Sequence, residues 1–163
     1  MARYGTIALV LALAACSGGA NGANATASIG AAAPSFTDPL ASGGTLSMNQ
    51  LRGKPLFLDF FATWCGPCNA EAPEVNAAYR AYASRGLQVV GVDVQENQAK
   101  ARQFIKEHAL TYPAVVDSGT LSDEYRINGM PVSVFIDKTG VVRKIEIGEL
   151  SEAQINADIQ AIL

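Results

Sequence analysis

The chain is poor in basic charge, in histidine and in long apolar runs. Its 12 lysines and arginines are outnumbered by 15 aspartates and glutamates, for a net charge of −3. It therefore lacks the positive footprint of a nucleic-acid binder. No stretch of the sequence reaches the roughly 18 consecutive apolar residues that would cross a bilayer. One histidine and three cysteines are too few soft ligands for a catalytic zinc site unless carboxylates complete it. Apolar residues as a class are not scarce, at 49%, so disorder throughout is excluded. A length of 163 residues suits a single domain. What marks the chain is where its three cysteines fall: positions 16, 65 and 68.

The first of them closes a targeting segment. Arg3 and the initial amine form a short positive region, Thr6–Leu13 is apolar, and small residues follow. That is the layout of a secretory signal, too short for a membrane span. Its end, Leu13-Ala14-Ala15-Cys16, resembles a bacterial lipobox. The resemblance implies cleavage after residue 15, acylation of Cys16 and a lipid anchor in the membrane. Ordinary secretory cleavage, with Cys16 a spare thiol, is the alternative. Residues 16–33 are small, polar and uncharged and read as a flexible tether, with a root-mean-square span of roughly 23 Å. The folded domain is expected over 34–163.

Within it, Phe36–Leu46 carries the turn signals Asp38-Pro39 and Gly43-Gly44 and predicts a hairpin, with a helical turn at Ser47–Leu51. Pro55–Ala62 and Leu87–Val94 are nearly continuous apolar runs, as strands covered on both faces should be. Gly66–Ser84 predicts a helix with Pro73 inside it. Gln98–Ala109 is amphipathic, with Ala101, Phe104, Ile105 and Ala109 on one face. Tyr112–Val116 reads as a short strand. Thr120–Arg126 reads as a short helix opened by a Thr120/Asp123 capping box. Pro131–Asp137 and Val141–Ile147 form a hairpin. A Ser151/Gln154 capping box starts a last helix with Ile155, Ile159 and Ile162 on one face. This order predicts an α/β fold, a mixed central sheet flanked by helices.

Trp64-Cys65-Gly66-Pro67-Cys68 lies between a buried strand and a helix start. A cysteine at a helix N-terminus meets free N–H groups and the positive end of the dipole, which stabilise a thiolate. Cys65 is therefore the candidate attacking sulfur. Cys68, three residues on along the same helical face, is the candidate resolving thiol. Gly66 lets the backbone turn closely, and Pro67 suits a first helical turn. A zinc half-site would need a second cysteine pair, which the chain lacks. A structural disulfide closing so small a loop would constrain the unfolded chain little. The pattern reads as a redox pair.

Asp59 through Cys68, DFFATWCGPC, resembles the thioredoxin active-site segment. Ala33-Pro34-Ser35-Phe36, Leu51-Arg52-Gly53-Lys54-Pro55, Glu71-Ala72-Pro73 and the helical stretch Gln98–Arg126 ahead of Gly129-Met130-Pro131 are similar to the TlpA/ResA branch. The resemblance implies a thioredoxin fold with an extra N-terminal hairpin and a central helical insertion. It also implies an extracytoplasmic thiol–disulfide oxidoreductase on the periplasmic face of the cell envelope. Many members reduce apocytochrome c or other disulfide-containing envelope proteins, drawing electrons from a membrane donor of the DsbD/CcdA kind. No metal or organic cofactor is implied.

By that resemblance Met130-Pro131 is a cis-proline loop that pairs with an extended substrate. On the residues alone, Pro131 could be a trans residue opening an edge strand. Asp59 sits mid-strand among apolar residues, where an unpaired carboxyl tends to stay protonated. The resemblance makes it the proton relay for Cys68, although branch relatives often carry Asn there. An Asp at a strand edge facing solvent is the alternative. Glu71 would tune the thiols or accept a proton; otherwise it is a solvated Glu favoured by the helix dipole. Trp64 is expected beside the sulfurs, shaping the docking surface. Phe61 stands where relatives usually have Trp. His108, near a helix end, is assigned no catalytic role.

The expected activity is disulfide reduction, because Gly-Pro between the cysteines is the thioredoxin pair, whose potential is about −270 mV. Thiol-dependent peroxide reduction, disulfide donation and a purely binding lipoprotein are the competing readings.

Overall fold

A computed structural model describes residues 27–163 and, apart from them, Met1. The signal segment, Cys16 and the tether up to residue 26 lie outside the described residues. Residues 27–33, assigned by composition to the tether, are bonded to the domain. Gly30 donates to the Val142 carbonyl, Val142 to Ala31, and Ala33 to Gly140, all at 2.8–2.9 Å. Among the described residues no helix is long and apolar enough to cross a membrane.

The chain opens with a two-stranded antiparallel hairpin, β1 (Thr37–Pro39) and β2 (Thr45–Ser47), and a short helix α1 (Met48–Leu51) capped by Ser47 and Gln50. Then come β3 (Leu56–Phe61), α2 (Gly66–Tyr82), β4 (Gln88–Val94), α3 (Gln98–Glu107), β5 (Ala114–Asp117) and α4 (Thr120–Glu124). The hairpin β6 (Val132–Ile136) and β7 (Val142–Ile147) and helix α5 (Glu152–Ile162) complete the domain. The main sheet has the order β5-β4-β3-β6-β7. Strands β3, β4 and β5 run parallel; β6 pairs antiparallel with β3 and with β7. This is the mixed, helix-flanked sheet expected, with its N-terminal hairpin and inserted helices.

Every residue of β3 is buried, so its side chains divide between two cores rather than between core and water. Phe57 and Phe61 join Val89, Ala114 and Phe135 under α2, α3 and α5. Leu56, Leu58 and Phe60 join Val90, Val92 and Val134 under α1 and α4. Phe57 stacks on Phe135 at 4.6 Å and Phe61 on Phe104 at 4.2 Å. Each such side chain contributes roughly 1.5–3 kcal/mol by leaving water. The alternation puts Asp59 on the α2 side of the sheet.

Two details depart from the sequence reading. The third parallel strand begins at Ala114, leaving Tyr112 in the preceding loop. Helix α4 has no Thr120/Asp123 capping box. Gly119 occupies its cap with φ 109°, and the Asp117 carboxylate accepts from the amides of Gly119, Leu121 and Ser122, each at 3.0 Å. An acid at the end of β5 satisfies the free N–H groups first.

Candidate active site

Strand β3 ends at Phe61, and a four-residue turn delivers the chain into α2. Cys65 is the N-cap of that helix, and its Sγ accepts the Cys68 N–H at 3.2 Å. Gly66 is the first helical residue and Pro67 follows it in the first turn. Cys65 and Cys68 form a disulfide with Cα atoms 5.3 Å apart. They are 5% and 3% exposed, so partners reach the sulfurs only by close docking. Trp64 is 71% exposed, so most of its ring faces solvent instead of packing on the sulfurs.

The Met130–Pro131 peptide bond is cis. The Pro131 carbonyl accepts from Gly148 at 2.9 Å, and Met130 packs against the cluster that contains both cysteines. Beside this loop, a mainly apolar groove of about 280 Å³ is lined by Tyr125, Ile127, Gly129, Val132, Ile145 and Ile147.

Two carboxyls are buried close to each other, Asp59 on β3 and Glu71 on α2. Asp59 is 4% exposed, which excludes the solvent-facing alternative. Burial pushes its carboxyl up to about 6, while a hydrogen bond from the Tyr112 hydroxyl at 3.1 Å pulls the other way. Glu71, one turn beyond Cys68, is 2% exposed; it is no solvated first-turn Glu. Burial and then the negative charge of Asp59 push it up to about 8, with a weak partial offset from the Leu150 backbone. Neither of its oxygens has a well-formed hydrogen bond. Two acids close enough to feel each other, one near 6 and one near 8, can hold a proton and release it around neutral pH.

The turn itself is held from both sides. Asn69 donates its side-chain amide to the Cys65 carbonyl at 2.7 Å and to the Thr63 carbonyl at 3.1 Å. With both donors so used, its Oδ1 faces His108 Nε2 at 2.8 Å, which makes that nitrogen the donor. Across the turn, Glu96 accepts from Thr63. Behind Glu96, Asp93 is fully buried and pushed up to about 8, by burial first and then by the Glu96 charge. Among the described residues no group of three or more His, Cys, Asp or Glu is placed to hold a metal ion.

The sequence pattern of the AhpC/TSA family matches residues 29–145. The chain belongs to the AhpC/TSA family. Within it the chain falls in the TlpA/ResA branch. It is 34% identical over 135 residues to a thiol–disulfide oxidoreductase ResA of Bacillus cereus, covering 82% of this chain and 78% of that one. The crystal structure of a thiol:disulfide interchange protein of the thioredoxin family from Chlorobium tepidum TLS is similar to it. The TM-score is 0.76 at 30% identity, over 83% of this chain and 97% of that one. StoA from Bacillus subtilis gives a TM-score of 0.66 at 31% identity, over 77% and 96%. Family and site together make this AhpC/TSA member a thioredoxin-like oxidoreductase.

Four side chains of this family member's site escaped the sequence reading: Asn69, Glu96, Tyr112 and the structural use of His108. Asn69 had a signal, standing one helical turn after Cys65. Glu96 and Tyr112 had none, because their partners Thr63 and Asp59 are 33 and 53 residues away.

Proposed function

We propose that the protein reduces disulfides of envelope proteins, apocytochrome c among the candidate substrates, by cycling Cys65 and Cys68. The observation that carries this reading is the N-cap position of Cys65, its sulfur facing the Cys68 N–H. In the reduced protein the Cys65 thiolate attacks a substrate disulfide, and one substrate sulfur leaves as a thiolate. Cys68 then gives its proton to Asp59 and attacks Cys65. The Cys65–Cys68 bond forms as the mixed disulfide breaks, and the second substrate thiolate leaves. Glu71, beside Asp59, tunes that transfer. Trp64, Gly66, Pro67, Met130 and Pro131 form the contact surface for an extended substrate segment, which the apolar groove prolongs. An electron donor of the DsbD/CcdA kind in the membrane restores the dithiol, since the envelope is oxidising.

Equilibration of Cys65–Cys68 against a thioredoxin or glutathione couple tests the direction of flow. A potential near −270 mV supports a reductase; one near −120 mV, as in DsbA, means that the protein donates disulfides. Peroxide reduction is less well supported, since Cys16 is the sole cysteine outside the pair and it closes the leader. We place the domain at the periplasmic face, anchored through acylated Cys16. Changing Cys16 to Ala should release the protein into the soluble periplasmic fraction; continued membrane association would refute the anchor.

A further inference from the structure

Tyr112 is buried in the loop between α3 and β5, and its hydroxyl donates to Asp59 Oδ2 at 3.1 Å. A glycine lies beside both groups. Asp59 is in register with Gly91 on β4 and with Ser133 on β6. A Cβ at Gly91 would stand 2.9 Å from the Phe61 ring and 3.4 Å from the Tyr112 ring. Glycine there leaves room for the Phe61 ring, and the tyrosine ring lies beside that space at ordinary contact distance. Tyr79 meets that ring edge-on at 5.9 Å and holds it from the α2 side.

We propose that Tyr112 is a positioning residue for the thiol chemistry: its hydroxyl fixes the Asp59 carboxyl and favours the charged form that accepts the Cys68 proton. The proposal rests on the reading of Asp59 as that acceptor. A hydrogen bond donated to a carboxylate stabilises the charged state over the neutral one. The ring alone would serve packing; the hydroxyl serves Asp59. The other groups facing Asp59 do not replace it. Glu71, from α2, is pushed up to about 8 by burial and by the Asp59 charge, so it is protonated where Asp59 ionises and brings no positive charge. Ser133, from β6, is a buried neutral hydroxyl without a partner. From β4, Gly91 brings no charge, and Asp93 lies two residues further along. When Cys68 gives its proton to Asp59, the Cys65–Cys68 bond forms, the Cys65–substrate bond breaks and the substrate leaves as a thiolate, so atoms and electrons balance.

Without the hydroxyl, Asp59 binds its proton more tightly, so a smaller fraction is ionised at a given acidic pH. The acid limb of Cys68-driven resolution should move upward by roughly one pH unit, the worth of one hydrogen bond to a charged group. The measurement uses the mixed disulfide of Cys65 with thionitrobenzoate and follows release of the coloured thiolate by stopped flow across a pH series. Tyr112→Phe should shift the acid limb upward, and the same change in an Asp59→Asn background should shift nothing. An unmoved limb in folded Tyr112→Phe, or an equal shift in both backgrounds, would overturn the proposal. If Asp59→Asn alone keeps the parental acid limb, the acceptor reading fails and the proposal fails with it. Carbon-13 NMR titration of the Asp59 carboxyl in the oxidised protein needs no turnover. Its midpoint should rise in Tyr112→Phe, and a fixed midpoint again overturns the proposal. Should Tyr112→Phe not fold, a fluorinated tyrosine at the same position, a stronger donor of nearly the same shape, should move the acid limb and the midpoint downward, and unmoved values overturn the proposal.

Discussion

Glu96 grips Thr63 twice, accepting its backbone amide at 2.6 Å and its hydroxyl at 2.7 Å. Thr63 stands two residues before Cys65, so the loop after β4 braces the turn that carries Cys65. The preceding residue, Gln95, is held at φ 60°, a left-handed conformation that costs of order 1 kcal/mol and persists where its surroundings over-determine it. Glu96→Ala should lower the stability of the oxidised protein by about 2–3 kcal/mol in urea unfolding, the range for hydrogen bonds to a charged acceptor. Glu96→Gln keeps one acceptor oxygen and should lose less. Equal losses would mean that charge, not the two bonds, braces the turn.

The thiols of the reduced protein should titrate apart. Cys65 has the helix N-terminus and the Cys68 amide to stabilise its thiolate, while Cys68 is buried, with Glu71 one turn further along α2. Ultraviolet thiolate absorbance should rise first with a midpoint near 7 or below, against about 8.5 for a free thiol. That step should vanish in Cys65→Ser and survive in Cys68→Ala. Its survival in Cys65→Ser would reverse the roles of the two sulfurs.

Stability should fall as pH rises through neutrality. Glu71 and Asp93 are pushed up to about 8, and Asp59 to about 6. In the unfolded chain these carboxyls release their protons near pH 4. Between those values the native state binds more protons than the unfolded state, which lowers stability with increasing pH. Thermal unfolding of the oxidised protein should give a Tm near pH 8.5 at least about 5 °C below that near pH 5. Glu71→Gln should flatten part of the slope. A Tm that climbs across this window would contradict the burial of these acids.

Asp117, at the end of β5, ties the start of α4 to the sheet. Its carboxylate takes three backbone amides. Asp117→Ala should cost about 1–2 kcal/mol, as lost N-caps do. Hydrogen exchange should show the loss as faster exchange at Leu121 and Ser122. Unchanged protection there would assign the capping to other groups.

The centre of the sheet was legible because β3 and β4 are apolar on both faces, which leaves no helical period to mislead: β3 reads LFLDFF and β4 reads QVVGVDV. The redox pair was legible because CxxC after a buried strand has few other uses. Asp59 could be placed on β3, but its surroundings could not, because Tyr112 and Glu71 meet it only through tertiary packing. The same holds for Glu96. The false capping box at Thr120 shows the converse: a local pattern was present, and an acid already fixed at a strand end displaced it. His108 reads as helix packing in sequence. In the fold it also stabilises the Asn69 amide that spans the turn from Thr63 to Cys65.

The segment at 30–33 has a consequence for self-association. β7 is an outer strand of the main sheet, and its unpaired N–H and C=O groups are a template for strand addition by another molecule. Ala32 bridges Val141, and the backbone bonds at Gly30 and Val142 cap the beginning of that edge with the protein's own chain. Further along, Arg143, Lys144 and Glu146 line β7, charges that discourage a second strand from docking. A chain truncated just before Pro34 would keep the disulfide and lose this guard. Its defect should appear as sheet-to-sheet aggregation at high concentration, not as slower thiol exchange.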